Sequence, residues 1–197
     1  MARWLARAGF RPNQISVFSV VFAGLAAGCL ALTATCPTNW KIFLFVAAAA
    51  GIQLRLLCNL LDGLVAVEGG LKTKSGEIYN ELPDRLSDAL VLVGAGHAFP
   101  AQEWTSHLGW AAAILAVVTA YVRTLGAAAG ASQHFIGPMA KQQRMAIITL
   151  ACLATAISLV CGKPVGFVPI ALATVMGGCL VTILRRTRRI IRELELK

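Results

Sequence analysis

ISVFSVVFAGLAAGCLALTA, residues 15–34, is a run of 20 residues without a charge. At about 1.5 Å per residue a helix of this length covers about 30 Å, the thickness of a bilayer's hydrocarbon core. Inside hydrocarbon every backbone N–H and C=O has to be satisfied within the segment, so the run reads as a spanning helix. Five more apolar runs follow, at about 42–67, 82–99, 108–128, 145–160 and 165–184, each bounded by charge, Pro or Gly. The expected fold is an all-α integral membrane protein of six transmembrane helices. Gly and Ala recur throughout, and small residues let helices approach closely in lipid.

Composition agrees. The 197 residues are 57% hydrophobic and 14% charged, with a mean hydropathy of +0.71. Soluble domains run nearer about 45–50% apolar and about 25% charged. The net charge of +9 comes from basic residues that flank the apolar runs, which favours a membrane surface over nucleic acid as the partner. The six cysteines form no CxxC pair, and most lie in apolar runs as small hydrophobes. Residues 1–14, with Trp4, Leu5 and Phe10 among Arg3, Arg7 and Arg11, read as an interfacial amphipathic helix rather than a cleaved signal. Residues 15–184 form the expected membrane domain, and 185–197 a basic cytoplasmic tail. With six spans and both termini cytoplasmic, one side carries most of the Lys and Arg, and the other only Lys41 and Lys163. We find no inverted repeat or broken-helix pair of the kind transporters carry.

Against this background residues 58–90 stand out. Six of the nine acidic residues lie there: Asp62, Glu68, Glu77, Glu81, Asp84 and Asp88. Arg55, Asn59, Asp62 and Ala66 are spaced by four, three and four, which puts them on one helical face. Glu77, Asn80, Glu81, Asp84 and Asp88 share a face of the next helix. Two helices joined by a short loop are antiparallel neighbours, so the acidic faces meet. Facing carboxylates call for a cation, and hard Mg2+ or Mn2+ suits oxygen ligands, the carbonyl of Asn included. Ionisable groups at membrane depth are costly and mark function. The glycine-bearing loop from Gly69 to Gly76, with Thr73 and Ser75, suits close approach of a nucleotide.

The stretch NLLDGLVAVEGGLKTKSGEIYNELPD, residues 59–84, resembles the signature of the CDP-alcohol phosphatidyltransferases, D-x2-D-G-x2-A-R-x8-G-x3-D-x3-D. Asp62, Gly63, Ala66, Gly76 and Asp84 match, and every gap agrees. RPNQIS, AYVRTLGAAAG and GPMAKQQRM also resemble family segments, so the similarity covers essentially the whole chain. It implies transfer of a phosphatidyl group from a CDP-activated lipid, usually CDP-diacylglycerol, to a small alcohol, with release of CMP. In the family a divalent metal pair holds the diphosphate. Carried over, Asp84 is the catalytic base, and Asn59, Asp62, Asn80, Asp84 and Asp88 are the candidate metal ligands. Asn59, Asp62, Gly63, Ala66, Thr73 and Gly76 would line the nucleotide pocket. Arg123, Lys141 and Arg144 would bind the acceptor, which leans toward a phosphorylated polyol such as glycerol 3-phosphate or inositol phosphate. Neutral inositol or serine stay open. The resemblance also implies a homodimer in a bacterial inner membrane with its site facing the cytoplasm.

Three positions depart from the signature. Asn59 and Asn80 replace aspartates and Val67 replaces the arginine. The lost negative charge points to one metal ion rather than two, to a changed donor or acceptor, or to a relative that binds a lipid, nucleotide or partner without catalysis.

Overall fold

The structure is a computed structural model that describes residues 11–70, 73, 75–99, 103–163 and 165–196. These residues form six helices and no strand: α1 (Pro12–Leu32), α2 (Thr38–Glu68), α3 (Gly76–Gly96), α4 (Glu103–Ala128), α5 (Lys141–Val160) and α6 (Val168–Glu195). The amphipathic helix expected before residue 11 lies outside the described residues, as do Lys72 and Lys74.

Five of the helices are long and apolar enough to cross a membrane: α1, α2, α4, α5 and α6. The helix left out is α3, whose apolar stretch is interrupted by Glu77, Glu81, Asp84, Arg85 and Asp88. Packing explains why it tolerates them. α3 touches each of the other five helices, resting on α1 and α4 along its length and meeting α2, α5 and α6 more briefly. Asp84 and Asp88 are turned inward, where partners await, and Glu81 and Arg85 are half-buried. Pro83, one residue before Asp84, sits inside the helix and removes one rung of its hydrogen-bond ladder.

The bundle is packed with small residues inside and large ones outside. Ala23, Ala26, Ala48, Ala95, Ala112 and Ala116 are buried, with Phe45, Ile52, Leu92 and Met145 filling the space between them. Val21, Leu25, Phe43, Ile114, Leu150, Ile157 and Ile170 are exposed. A soluble protein would not leave so many large apolar side chains outside. In lipid, the tails are as apolar as the side chains and association relies on close fit. The closest approach of one helix backbone to another at a described glycine is at Gly94, where an added Cβ would lie 2.6 Å from Ala27 Cα and 2.8 Å from Ala27 O. Gly94→Ile is therefore expected to push α1 off α3 and to cost about 1–3 kcal/mol or more. A thermal midpoint unchanged from native in detergent would refute this.

Chain direction brings six helix ends to one end of the bundle. The start of α1, the end of α2, the start of α3, the end of α4, the start of α5 and the end of α6 all contribute to the site below. The turn between α2 and α3 begins at Gly69 and Gly70, the latter at φ +63°, a left-handed conformation that glycine adopts freely. The connection from α4 to α5 is pinned to α6: Met139 N–H donates to Thr182 Oγ1 at 3.1 Å, and Arg186 Nε donates to Ile136 O at 2.9 Å. All six cysteines are free.

Candidate functional site

The deepest carboxylate of the site is Asp88, 1% exposed. Arg55 Nη2, from α2, donates to its Oδ1 at 2.6 Å. Arg144, from α5, donates to its Oδ2 through Nε at 3.1 Å and Nη2 at 2.5 Å. Arg144 Nη1 reaches Thr119 Oγ1 on α4 at 3.3 Å and Met139 O at 3.0 Å. One carboxylate thus ties α2, α3 and α5 together, and Arg144 extends the tie to α4. Arg55 is fully buried, and its Nε and Nη1 have no hydrogen-bond partner among the described residues. Its Nη2 therefore carries the whole attachment.

One turn toward the end of the bundle sits Asp84, 4% exposed. Its Oδ1 accepts from Asn59 Nδ2 at 2.6 Å and from Arg55 Nη2 at 3.3 Å. Its Oδ2 accepts from Lys141 Nζ at 2.5 Å. Asn59 and Asp84, expected on facing helices, do meet. Asp62, a turn further along α2, is buried and accepts from Ser16 Oγ of α1 at 2.5 Å.

Two cavities open beside these carboxylates. The first, about 360 Å³, is lined by Asp62, Gly63, Ala66, Thr73 and Gly76, together with Asn13, Ser16 and Val67. Five of the six residues expected to line a nucleotide pocket thus share one cavity; Asn59 does not line it. The second, about 380 Å³, is lined by Asp84, Arg123, Lys141 and Arg144, together with Arg85, Arg186, Gln133 and Phe135. All three residues expected to bind the acceptor are on its wall. Glu77 and Asn80 line both cavities and mark where they adjoin.

The second cavity holds the greater surprise. Glu81 Oε2 accepts from Arg123 Nη2 at 2.5 Å and also pairs with Arg85. The Arg123 guanidinium lies 4.8 Å from the centre of the Phe135 ring. Arg186, read from sequence as part of a basic tail, is instead a buried wall residue, its Nη1 donating to Thr119 O at 2.7 Å. α6 simply continues past residue 184 to Glu195. A signal was available: Arg186 follows the buried Cys179 and Thr182 at intervals of seven and four, on the same helical face. Ser16 carried no such signal, because a serine in an apolar helix most often bonds its own backbone. Arg144 lies on the cavity wall, yet its Nε, Nη1 and Nη2 are each engaged elsewhere. Asp88 lines neither cavity, and both its oxygens face guanidinium groups.

The donor chemistry bears on a metal ion. Among the described residues, no group of three or more His, Cys, Asp or Glu is arranged to hold one. What the two helices offer is Asp62 and Asp84, with the amides of Asn59 and Asn80. Mg2+ is commonly bound by one or two carboxylates, its remaining positions filled by water and substrate phosphate oxygens. The set fits one ion shared with a phosphorylated substrate.

No family model matches the chain. It is 28% identical over 119 residues to the phosphatidylinositol phosphate synthase of Mycobacteroides abscessus, a match covering 60% of this chain and 47% of the relative. The chain thus spans about half the length of the curated relative it matches. Its fold matches the phosphatidylinositol phosphate synthase of Mycobacterium tuberculosis solved with CDP-DAG bound, at 21% identity and a TM-score of 0.77, over 96% of this chain and 90% of that one. The same enzyme in complex with manganese and citrate matches at 19% identity and a TM-score of 0.79, over 96% and 86%. The chain is therefore similar in sequence to one phosphatidylinositol phosphate synthase and shares the fold of another.

Proposed function

We propose that this protein is a membrane-embedded CDP-alcohol phosphatidyltransferase. It moves a phosphatidyl group from CDP-diacylglycerol to a phosphorylated polyol, of which inositol phosphate and glycerol 3-phosphate are the candidates, and releases CMP. One observation carries the reading. A buried carboxylate, Asp84, lies on the wall of a cationic cavity, and that cavity adjoins a second one lined by the matching signature residues. The first is suited to a phosphorylated acceptor and the second to a nucleotide.

In this reading Asp62, Asn80 and Asp84, with Asn59 beside them, would hold one Mg2+ or Mn2+, which when bound would neutralise charge on the donor's diphosphate. Asp84 Oδ2 takes the proton of the attacking hydroxyl, and Asn59 and Lys141 fix the direction of its carboxylate. Arg123, with Arg85 and Arg186, holds the acceptor's phosphate; Arg is suited to this because its planar fork matches phosphate oxygens. Glu81 keeps Arg123 and Arg85 in place until that phosphate arrives. Asp88 and Arg144 act as a frame behind Asp84 rather than as ligand and acceptor contact. The rest is positioning and charge neutralisation, as phosphoryl transfer generally requires.

The membrane arrangement follows the same reading. α3 has 21 residues, long enough at about 1.5 Å each to cross the hydrocarbon as a sixth span. Six helix ends converging on the site fit an even number of crossings. Both termini and the site then face the cytoplasm of a bacterial cell, and the small-residue helices suit a homodimer.

The test is CMP release by purified protein in nanodiscs from CDP-diacylglycerol with Mg2+ or Mn2+. Acceptors would be inositol phosphate, glycerol 3-phosphate, inositol and serine. Release with a phosphorylated acceptor is expected; none with any acceptor would leave only a binding role. Arg123→Ala is expected to raise the acceptor KM about 10–100-fold, the loss of one charge-assisted hydrogen bond, with the KM for CDP-diacylglycerol unchanged. Equal rises in both would remove Arg123 from the acceptor site.

A further inference from the structure

We infer that Lys141 is the site's second cation: its ammonium group, seated on Asp84, supplies the positive charge that a second metal ion would bring, so the chain holds one divalent ion per active centre. The inference rests on the transferase reading and adds to it the group that takes the place of a second ion.

The first support is geometric. Both oxygens of Asp84 are held by donors of this chain, Oδ2 by Lys141 Nζ at 2.5 Å and Oδ1 by Asn59 Nδ2 at 2.6 Å. An ionised carboxylate only accepts hydrogen bonds, so at 2.6 Å Asn59 must present its NH2 to it. An aspartate at position 59 could not make this contact; it would repel Asp84 and require a cation between them. The asparagine is thus matched to a carboxylate already neutralised by lysine. The ammonium is a compact point charge with three donors, well suited to replace an ion between oxygens.

The second support is charge balance. The two cavities and the frame behind them hold five carboxylates, Asp62, Glu77, Glu81, Asp84 and Asp88, and six cations, Arg55, Arg85, Arg123, Lys141, Arg144 and Arg186. They leave one net positive charge before any metal binds. One divalent ion brings two positive charges, which the two negative charges of a CDP-lipid's diphosphate offset. A second divalent ion would add two more positive charges to a site already in positive excess, in surroundings of low dielectric where such an excess is costly. It would also have to displace Lys141 from Asp84. A family member with four aspartates has compensating acid; this chain, with Asn59 and Asn80, lacks it.

The test counts ions. Purified protein is dialysed to equilibrium against Mn2+, with and without CDP, and bound Mn2+ is measured by elemental analysis and electron paramagnetic resonance. One Mn2+ per chain with the spectrum of an isolated ion is expected. The variant N59D/N80D/K141A restores both aspartates and removes the ammonium; it is expected to bind two Mn2+, close enough for their signals to couple. Two ions in the native protein, or none, would overturn the assignment, as would a well-folded triple variant that still binds one. Where the triple variant does not purify as a single species, the native count decides. CMP release measured alongside separates the two readings. Two ions with CMP release sink the lysine assignment and keep the transferase. One ion without CMP release supports the count and sinks the transferase.

Discussion

Asp84→Asn should reduce CMP release by about 10²–10⁴-fold, the usual contribution of a positioned general base. The exchange is nearly isosteric and leaves Arg55 attached to Asp88 at 2.6 Å, so the fold should survive. What disappears is the proton acceptor and the charge that seats Lys141. Asp62→Asn makes a useful contrast. Asp62 lines the cavity proposed for the nucleotide and is bonded to Ser16, so its loss should act through the ion and be partly relieved by excess Mn2+. Asp84→Asn should not be relieved. Rates for Asp84→Asn within about threefold of native would remove Asp84 as the base, since even the lower bound for such a group is about 10²-fold. Single-turnover measurements with CDP-diacylglycerol and inositol phosphate would make the comparison directly.

How much of this was open to sequence reading depends on the distance over which each feature is specified. The apolar runs are local, so six helices and their order could be read from the positions of those runs alone. The signature is local too: its spacing places Asp62, Gly63 and Ala66 on one helix and Gly76, Asn80 and Asp84 on the next. Helix ends were less legible. α5 begins at Lys141 and α6 ends at Glu195, outside the apolar runs: Lys141, Arg144 and Arg186 are bonded within the bundle and Ile190 is buried, while Arg185, Arg188, Arg189 and Arg192 stay exposed. Pairing over long separations was the least legible. Arg144 and Asp88 are 56 residues apart, and each by itself resembles a site residue; only the packed structure shows them facing each other. Arg186 was hidden by its neighbours, since Arg185, Arg188, Arg189 and Arg192 carry the same charge and only helical register separates them. The two cavities belong to six helix ends at once, and no single segment encodes them.

The pairing of Asp88 leads to the largest expected loss of stability. Asp88→Ala should destabilise the protein by about 3–5 kcal/mol, because it strands two buried guanidinium groups while removing only one carboxylate. Arg55 is 0% exposed and Arg144 2% exposed. Arg55 would retain Asp84 at 3.3 Å, at the expense of the charge that Lys141 now shares; Arg144 would retain only neutral partners, Thr119 and the Met139 carbonyl. For a chain of this length such a loss corresponds to a fall of roughly 10 °C in thermal midpoint. The origin of the loss can be isolated. Replacing Asp88, Arg55 and Arg144 together with Leu or Met leaves no unpaired charge, and well-packed apolar substitutes for buried ion clusters are often neutral in stability. The triple replacement should therefore recover most of what Asp88→Ala loses, although it removes more polar contacts. A ligand role for Asp88 would give the opposite pattern: a near-native midpoint for Asp88→Ala, with fewer Mn2+ ions bound. Because midpoint and ion count respond in different directions, the two measurements on one variant decide whether Asp88 frames the site or belongs to it.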